Sequence, residues 1–445
     1  MKKCHLLAVE VISLQSQVRI RLKRTLFRNY NLLMLVILAQ AFNQCTLEKS
    51  VSGKNISYLY KEEVPALLAQ TSIFNTQQQS KVRLKFNAAD FGKSKSERGD
   101  DLLNYALRYK VYSNYSSSEV LDSGKVIRKD LSYFGQDYLL DSLQISTVLG
   151  QNYLIECVIN DLNGAHRNTQ LIDVNRSLRF NEQSLRVYNS FNELVFSDYV
   201  MNADSYKIET DIPREGLYSK YYDRDFPVAS PPFSTIAPRP FDFTPNSTVE
   251  LKQLDPKHFK LFVSKPGFYQ ITEDTLRKTG GTLHYFGVSY PQAKTLLDLV
   301  NPLRYLTTNE EYNDIISSEN LKKSVDAYWL KIGDNPERAR ELIRAFYSRV
   351  QYANTYFTSY LEGWKSDRGM CYIVYGPPDI VYRSTATETW LYGEEGNYNT
   401  LSLTFTKVMN PFTTNDYRLN RSGSLKTSWY RAVEYWRQGR VLTYR

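Results

Sequence analysis

Histidine and cysteine are scarce in this sequence, with four of each in 445 residues. His5, His166, His258 and His284 lie far apart, and none pairs with a Cys, Glu or second His at ligand spacing. A structural zinc site needs four such donors close together, so the sequence predicts no metal and no cofactor. The sequence also lacks H-E-x-x-H, G-x-S-x-G and a paired C-x-x-C, which removes the commonest metalloprotease, serine hydrolase and thiol redox readings. The GKS at 92–94 resembles part of a phosphate-binding loop, but Asn87 stands where the first glycine belongs, so a plain loop is expected there. Long apolar runs are missing as well. The best, LLMLVILAQAF at 32–42, is too short to span a bilayer comfortably.

What is abundant is tyrosine, with 35 copies beside 21 Phe. Aromatics at that level favour strands. Apolar residues make up 42% and charged residues 23%, an ordinary globular composition. The length suggests roughly two to four domains. The net charge of +9 invites a nucleic-acid reading, but residues 1–44 carry seven basic side chains and one acid. Without them the balance falls to +3, too weak to argue for a phosphate-binding surface.

That N-terminal segment reads as a leader. A basic run, RLKRTLFRNYN, precedes the short apolar stretch, in the order of a secretory signal. Cys45 follows at once and looks like the lipidation site of a bacterial lipoprotein, although Phe42-Asn43-Gln44 replaces the usual small residues. The expectation is an exported protein of the periplasm or outer membrane, lipid-anchored through Cys45. Residues 1–44 are then leader and 45–53 a polar tether. Cys157 and Cys371 fall on apolar runs in different regions and are expected to be buried free thiols.

Strand signals begin after the tether. Val82, Leu84 and Phe86 alternate with Lys81, Arg83 and Lys85. Leu103, Tyr105, Leu107, Tyr109 and Val111 fall on one face of a second strand, and Tyr153, Ile155, Cys157 and Ile159 on one face of a third. Turn residues between them, including DSGK at 122–125, complete the pattern of an antiparallel sandwich over 54–180. A second β-rich domain is expected over 181–300. It is interrupted at 227–245, where six of the sixteen prolines lie. Proline at that density cannot enter a central strand, so this stretch is a linker or an extended excursion packed on a surface.

From 301 the period changes. Thr308 and Glu311 have capping-box spacing. Leu321, Val325, Trp329 and Ile332 share a helical face, and Pro336 opens a helix running to about 359. Period two then returns in MCYIVYG, DIVYRS, TETWLYG and TLSLTFT, read as four short strands, before a helix-like SWYRAVEYWRQGR. The fold class is therefore multidomain: two β-sandwich-like domains followed by an α+β domain at 301–445, helices first and then a small antiparallel sheet.

The stretch GWKSDRGMCYIVYGPPD, 363–379, stands out for its glycines, adjacent prolines and tryptophan. Physical reasoning makes it a folding device. Gly363 takes a positive φ and ends the long helix, and Trp364 covers the helix–sheet seam. Ser366 and Asp367 bond nearby backbone N–H groups, Arg368-Gly369 turns into a strand Met370–Tyr375, and Gly376-Pro377-Pro378-Asp379 reverses the chain. With the preceding FYSRVQYANTYF and the following ETWLY, these residues resemble the GWxTD family, with Ser366 in place of threonine. The resemblance implies an exported bacterial protein with a β-rich N-terminal region, but no defined chemistry.

Two functions compete, beside a third reading in which the C-terminal domain only supports the β domains and these do the binding. The favoured one is non-catalytic: a binding or assembly component acting through protein partners at a membrane surface, with no nucleic acid. The alternative is a glycan-binding protein or hydrolase using a cleft where Trp364, Asp367, Arg368, Asp379 and Glu388, with Trp390, converge. Asp367 and Asp379 are expected at opposite ends of one strand, too far apart to act as a glycosidase pair.

Overall fold

A computed structural model describes residues 50–441, apart from 63–65, 133–134, 136, 225 and 237–241. Residues 1–44, expected to be a leader, and Cys45 lie outside the described residues. Eight strands form the first sandwich: β1 (Gln70–Asn75), β2 (Gln79–Asn87), β3 (Lys93–Lys95), β4 (Asp101–Tyr112), β5 (Asp122–Ser132), β6 (Tyr138–Ser146), β7 (Tyr153–Asp161) and β8 (Arg167–Val174). One sheet has the order β1-β2-β6. In the other, β4 is flanked by β7, which leads on to β8, and pairs also with β3 and β5. The alternation in β2 is obeyed strictly, with Val82, Leu84 and Phe86 fully buried against Leu107, Ile155, Cys157 and Ile159 of the facing sheet. The DSGK stretch expected as a loop instead opens β5: its residues pair with Val111 to Arg108 of β4, and Gly124 is the residue that fits under the Tyr109 ring.

The second β-rich region is built the same way. Its strands are β9 (Leu185–Tyr188), β10 (Tyr199–Val200), β11 (Ser205–Thr210), β12 (Tyr218–Tyr222), β13 (Ser247–Glu250), β14 (Lys252–Asp255), β15 (His258–Phe262), β16 (Gly267–Thr272) and β17 (Gly281–Tyr285). They form sheets β14-β15-β11-β9 and β10-β17-β16-β12-β13 over a common core that includes Ile208, Phe259, Tyr221 and Ile271. Between β12 and β13 runs the proline-rich segment. It is an extended excursion lying on the C-terminal region: Ala229 N–H bonds the Lys365 carbonyl at 2.9 Å, Ser422 N–H bonds the Pro232 carbonyl at 3.1 Å, and the Phe233 ring meets Tyr430.

Helices follow: α1 (Leu296–Val300), α2 (Asn309–Ile316), α3 (Leu321–Gly333), α4 (Pro336–Phe357) and α5 (Asp367–Tyr375). Thr308 and Glu311 form the expected capping box, and Asn335 caps α4 with Pro336 in its first turn. The antiparallel hairpins β18 (Ile380–Arg383), β19 (Thr387–Tyr392), β20 (Leu401–Lys407) and β21 (Tyr417–Leu419) come next, and α6 (Lys426–Arg437) closes the chain. MCYIVYG is thus not a strand but most of α5. A six-residue apolar run bounded by turn signals reads equally as a core strand or a core helix, and period cannot separate them. Burial on every side and the Ser366 cap decide for helix: all nine residues of α5 are buried.

Ahead of the first sandwich strand, Val51 packs on Tyr112, Tyr115 and Leu154 of the first sandwich, while residues 55–62 pack against the C-terminal region. Ile56 and Tyr60 belong to its core, beside Phe357, Tyr372 and Trp390. Ile56 N–H bonds the Val381 carbonyl at 2.9 Å, and Tyr372 Oη donates to the Tyr60 carbonyl. Among the described residues no helix is long and apolar enough to cross a membrane.

Candidate functional site

The Gly-Trp-Lys-Ser-Asp turn is built from close backbone approach. Gly363 lies in a short 3-10 turn, Gly363–Lys365, and is absent from the positive-φ residues. It does not end α4 by a left-handed conformation; Thr358 is the cap residue there. Glycine is needed because the Ala353 carbonyl stands where a Cβ would go. The same holds at Gly369, where the Gly363 carbonyl occupies that place. Two glycines therefore let α5 lie directly on the turn that precedes it.

The backbone groups of Trp364 and the side chains of Ser366 and Asp367 are used internally. The Trp364 N–H donates to Asn354 Oδ1 at 3.0 Å, and its carbonyl accepts from Tyr305 Oη at 2.9 Å. Its indole is 5% exposed and packs against the Tyr305 ring. Ser366 is the N-cap of α5: its Oγ accepts from Gly369 N–H at 3.0 Å and donates to the Gly363 carbonyl. Threonine offers the same oxygen, which explains why serine serves here. Asp367, in the first turn where the helix dipole favours an acid, accepts from Leu419 N–H at 2.8 Å and pairs with Arg421. Arg421 also holds the Ser230 carbonyl, tying in the proline-rich segment.

Arg368 leads to a second centre. Glu388 is fully buried, and its carboxylate accepts from Trp390 Nε1 and Arg383 Nε, each at 2.7 Å, and from Tyr60 Oη at about 3.0 Å. Arg368 Nη1 stands 3.6 Å away, and its other nitrogen bonds the Asn415 carbonyl at 3.0 Å. The Arg368 guanidinium lies over the Tyr417 ring, 4.1 Å from its centroid. Burial alone pushes the Glu388 carboxyl up; the Arg383 and Arg368 charges overcome it and hold the group below the usual range. Burial likewise drives the Tyr60 hydroxyl far above its ordinary value, so Tyr60 is a donor and not a base.

The six candidate side chains do not converge on one cleft. Arg368, Glu388 and Trp390 meet in the core. Asp367 faces Arg421, and Trp364 faces Tyr305. Asp379 sits beyond the reversal, where Gly376 adopts φ 89° and Pro378 is buried; its carboxylate accepts from Gly393 N–H at 2.7 Å. Asp367 and Asp379 are separated by α5 and this turn, not by a strand; the helix alone is about 13 Å long. The void beside Trp364 holds about 10 Å³, bounded by Tyr290, Asn354 and Glu362, room for about one water. Sequence reasoning missed Tyr60, Arg383, Tyr417 and Arg421. Arg383 was within reach: the hairpin IVYR-STA-TETWLY places it directly opposite Glu388.

Elsewhere, Cys157 and Cys371 are buried free thiols, one in the first sandwich core and one in α5. His284 is buried among Phe268 and Phe286, with Nδ1 on the Asp198 carbonyl and Nε2 without a partner. Among the described residues no group of three His, Cys, Asp or Glu could hold a metal ion.

The molecule is thus a multidomain β-rich protein whose C-terminal α+β region is organised around a buried Gly-Trp-Lys-Ser-Asp turn. Residues 267–438 match the GWxTD domain, and the chain is a GWxTD domain-containing protein. No curated protein matches it. Among solved structures it is similar to the crystal structure of red sea bream transglutaminase, at 7% identity and a TM-score of 0.18, over 51% of this chain and 32% of that one. The chain spans about a third of that protein's length, and a likeness so slight carries no argument.

Proposed function

We propose that this chain is a non-catalytic binding or assembly component, exported and held at a membrane surface by a lipid on Cys45, acting through protein partners. The observation that carries the non-catalytic part is the internal use of the motif. Asp367, Arg368 and Glu388 are each paired inside the fold, and the space beside Trp364 admits no substrate. A catalytic carboxylate must face a reacting atom, and a sugar-binding tryptophan must show a ring face. These residues do neither, so the geometry gives the glycan or hydrolase reading of this motif no support. The leader pattern and Cys45 supply the membrane part.

The test is fractionation of native membranes after labelling with an alkyne-tagged fatty acid, followed by sedimentation of the detergent extract. The account expects label on the wild type, none on Cys45→Ser, and co-sedimentation with a stoichiometric partner. A soluble, unlabelled, monomeric wild type contradicts it.

A further inference from the structure

A cleft of about 800 Å³ lies between the outer face of the β1-β2-β6 sheet and the 188–202 segment of the second sandwich. That volume is in the range of ligand sites, about 300–1,000 Å³. One wall carries Lys81, Arg83 and Lys85, the polar side of β2. The other carries Leu194, Val195, Phe196 and Met201. Lys85 is held at the end, its ammonium 4.2 Å from the Tyr138 ring centroid and 5.9 Å from that of Phe196. Lys81 and Arg83 have no ion-pair partner among the described residues. Of the acids at the cleft, Asp141 is neutralised by Arg128 at 2.7 Å and accepts from Tyr105 Oη, while Glu193 is exposed and bonds Asn189.

We propose that this cleft binds an extended peptide in which acidic and apolar side chains alternate, with the acids on Lys81 and Arg83 and the apolar side chains against Leu194, Phe196 and Met201. The spacing argues for a peptide over other anions. Successive cations on one face of a strand lie about 6.7 Å apart, and so do alternate side chains of any extended peptide. Side chains of such a peptide point to opposite sides in turn, which suits a cleft with cations on one wall and, on the other, apolar side chains set among Asn189, Asn192, Glu193, Ser197 and Asn202. The proposal rests on the reading that this protein works through protein partners and names the chemistry of one such segment.

Fluorescence anisotropy with labelled synthetic octapeptides tests it on the purified protein lacking residues 1–44 and carrying Cys45→Ser. The first probe alternates Glu with Val and Leu; the second has the same composition with all acids in one block; the third replaces the central Glu by Lys. The proposal expects saturable binding of the alternating peptide and binding about ten-fold weaker for Arg83→Ala, the scale of one charge-assisted contact. It also expects Arg83→Glu to prefer the Lys-containing probe. Equal binding of the block peptide, equal displacement by a hexagalacturonate, or no binding at all overturns it. If the peptide fails while the membrane complex persists, the inference is wrong and the assembly reading stands.

Discussion

Arg368 and Arg83 show two uses of one side chain. Arg368, in the GWxTD motif, is 2% exposed, stacked on Tyr417 and committed to Glu388 and Asn415. Arg83, on the outer face of β2, is half-buried and has no counter-ion among the described residues. A buried cation is tolerated only when paired, so the motif's charges are spent on the fold. A cation on the wall of an open cleft stays available. The difference warns against reading a conspicuous motif as a site: Gly363-Trp364 and Ser366-Asp367 stand out because close packing demands particular residues, whereas the cleft's Lys81 and Arg83 look in sequence like any solvated strand face.

The largest effect expected is at Glu388. Replacing it by Ala leaves Arg383 and Arg368 without their carboxylate, and the C-terminal region should lose about 3–5 kcal/mol in urea unfolding. A loss below about 1 kcal/mol would place this cluster with ordinary surface pairs.

Next comes a pH effect. Burial pushes His284 from 6.5 down to about 4, and a charged ring there would face Phe268 and Phe286. Because the folded value lies below the unfolded one, the unfolded chain takes up the proton first. Stability is therefore lost as pH falls from about 6.5 to 4. Against His284→Gln, which lacks this term, wild type should lose about 3 kcal/mol over that window. Parallel curves for the two proteins would contradict it.

Smaller changes follow. Ser366→Ala removes the cap of α5 and should cost about 1 kcal/mol, while Ser366→Thr should be nearly neutral. Arg83→Ala should move stability by less than about 0.5 kcal/mol while weakening peptide binding. A thermal scan of the three variants orders them; a larger loss at Arg83 than at Ser366 would reverse the comparison.

Much of the architecture is legible in the residues. The alternation around Val82, Leu107 and Cys157 gives the first sandwich, the Thr308–Glu311 spacing gives a helix start, and Asn335-Pro336 gives another. The strand assigned to Met370–Tyr375 failed because a buried helix of nine residues shows no polar face to reveal its period. The placement of Tyr60 was hidden for another reason. Its partners Glu388 and Arg383 lie more than 300 positions away, and no local pattern encodes such a contact. What the candidate residues do is decided by burial, and burial is a property of the whole fold.

Hydrogen exchange followed residue by residue tests the central claim most directly, that the motif is a buried structural keystone. The amides of Trp364, Gly369 and Leu419, held by Asn354, Ser366 and Asp367, should exchange only through global opening of the C-terminal region. Exchange at these amides as fast as in the exposed turn at 191–193 would mean the motif opens to solvent, and the account would be wrong.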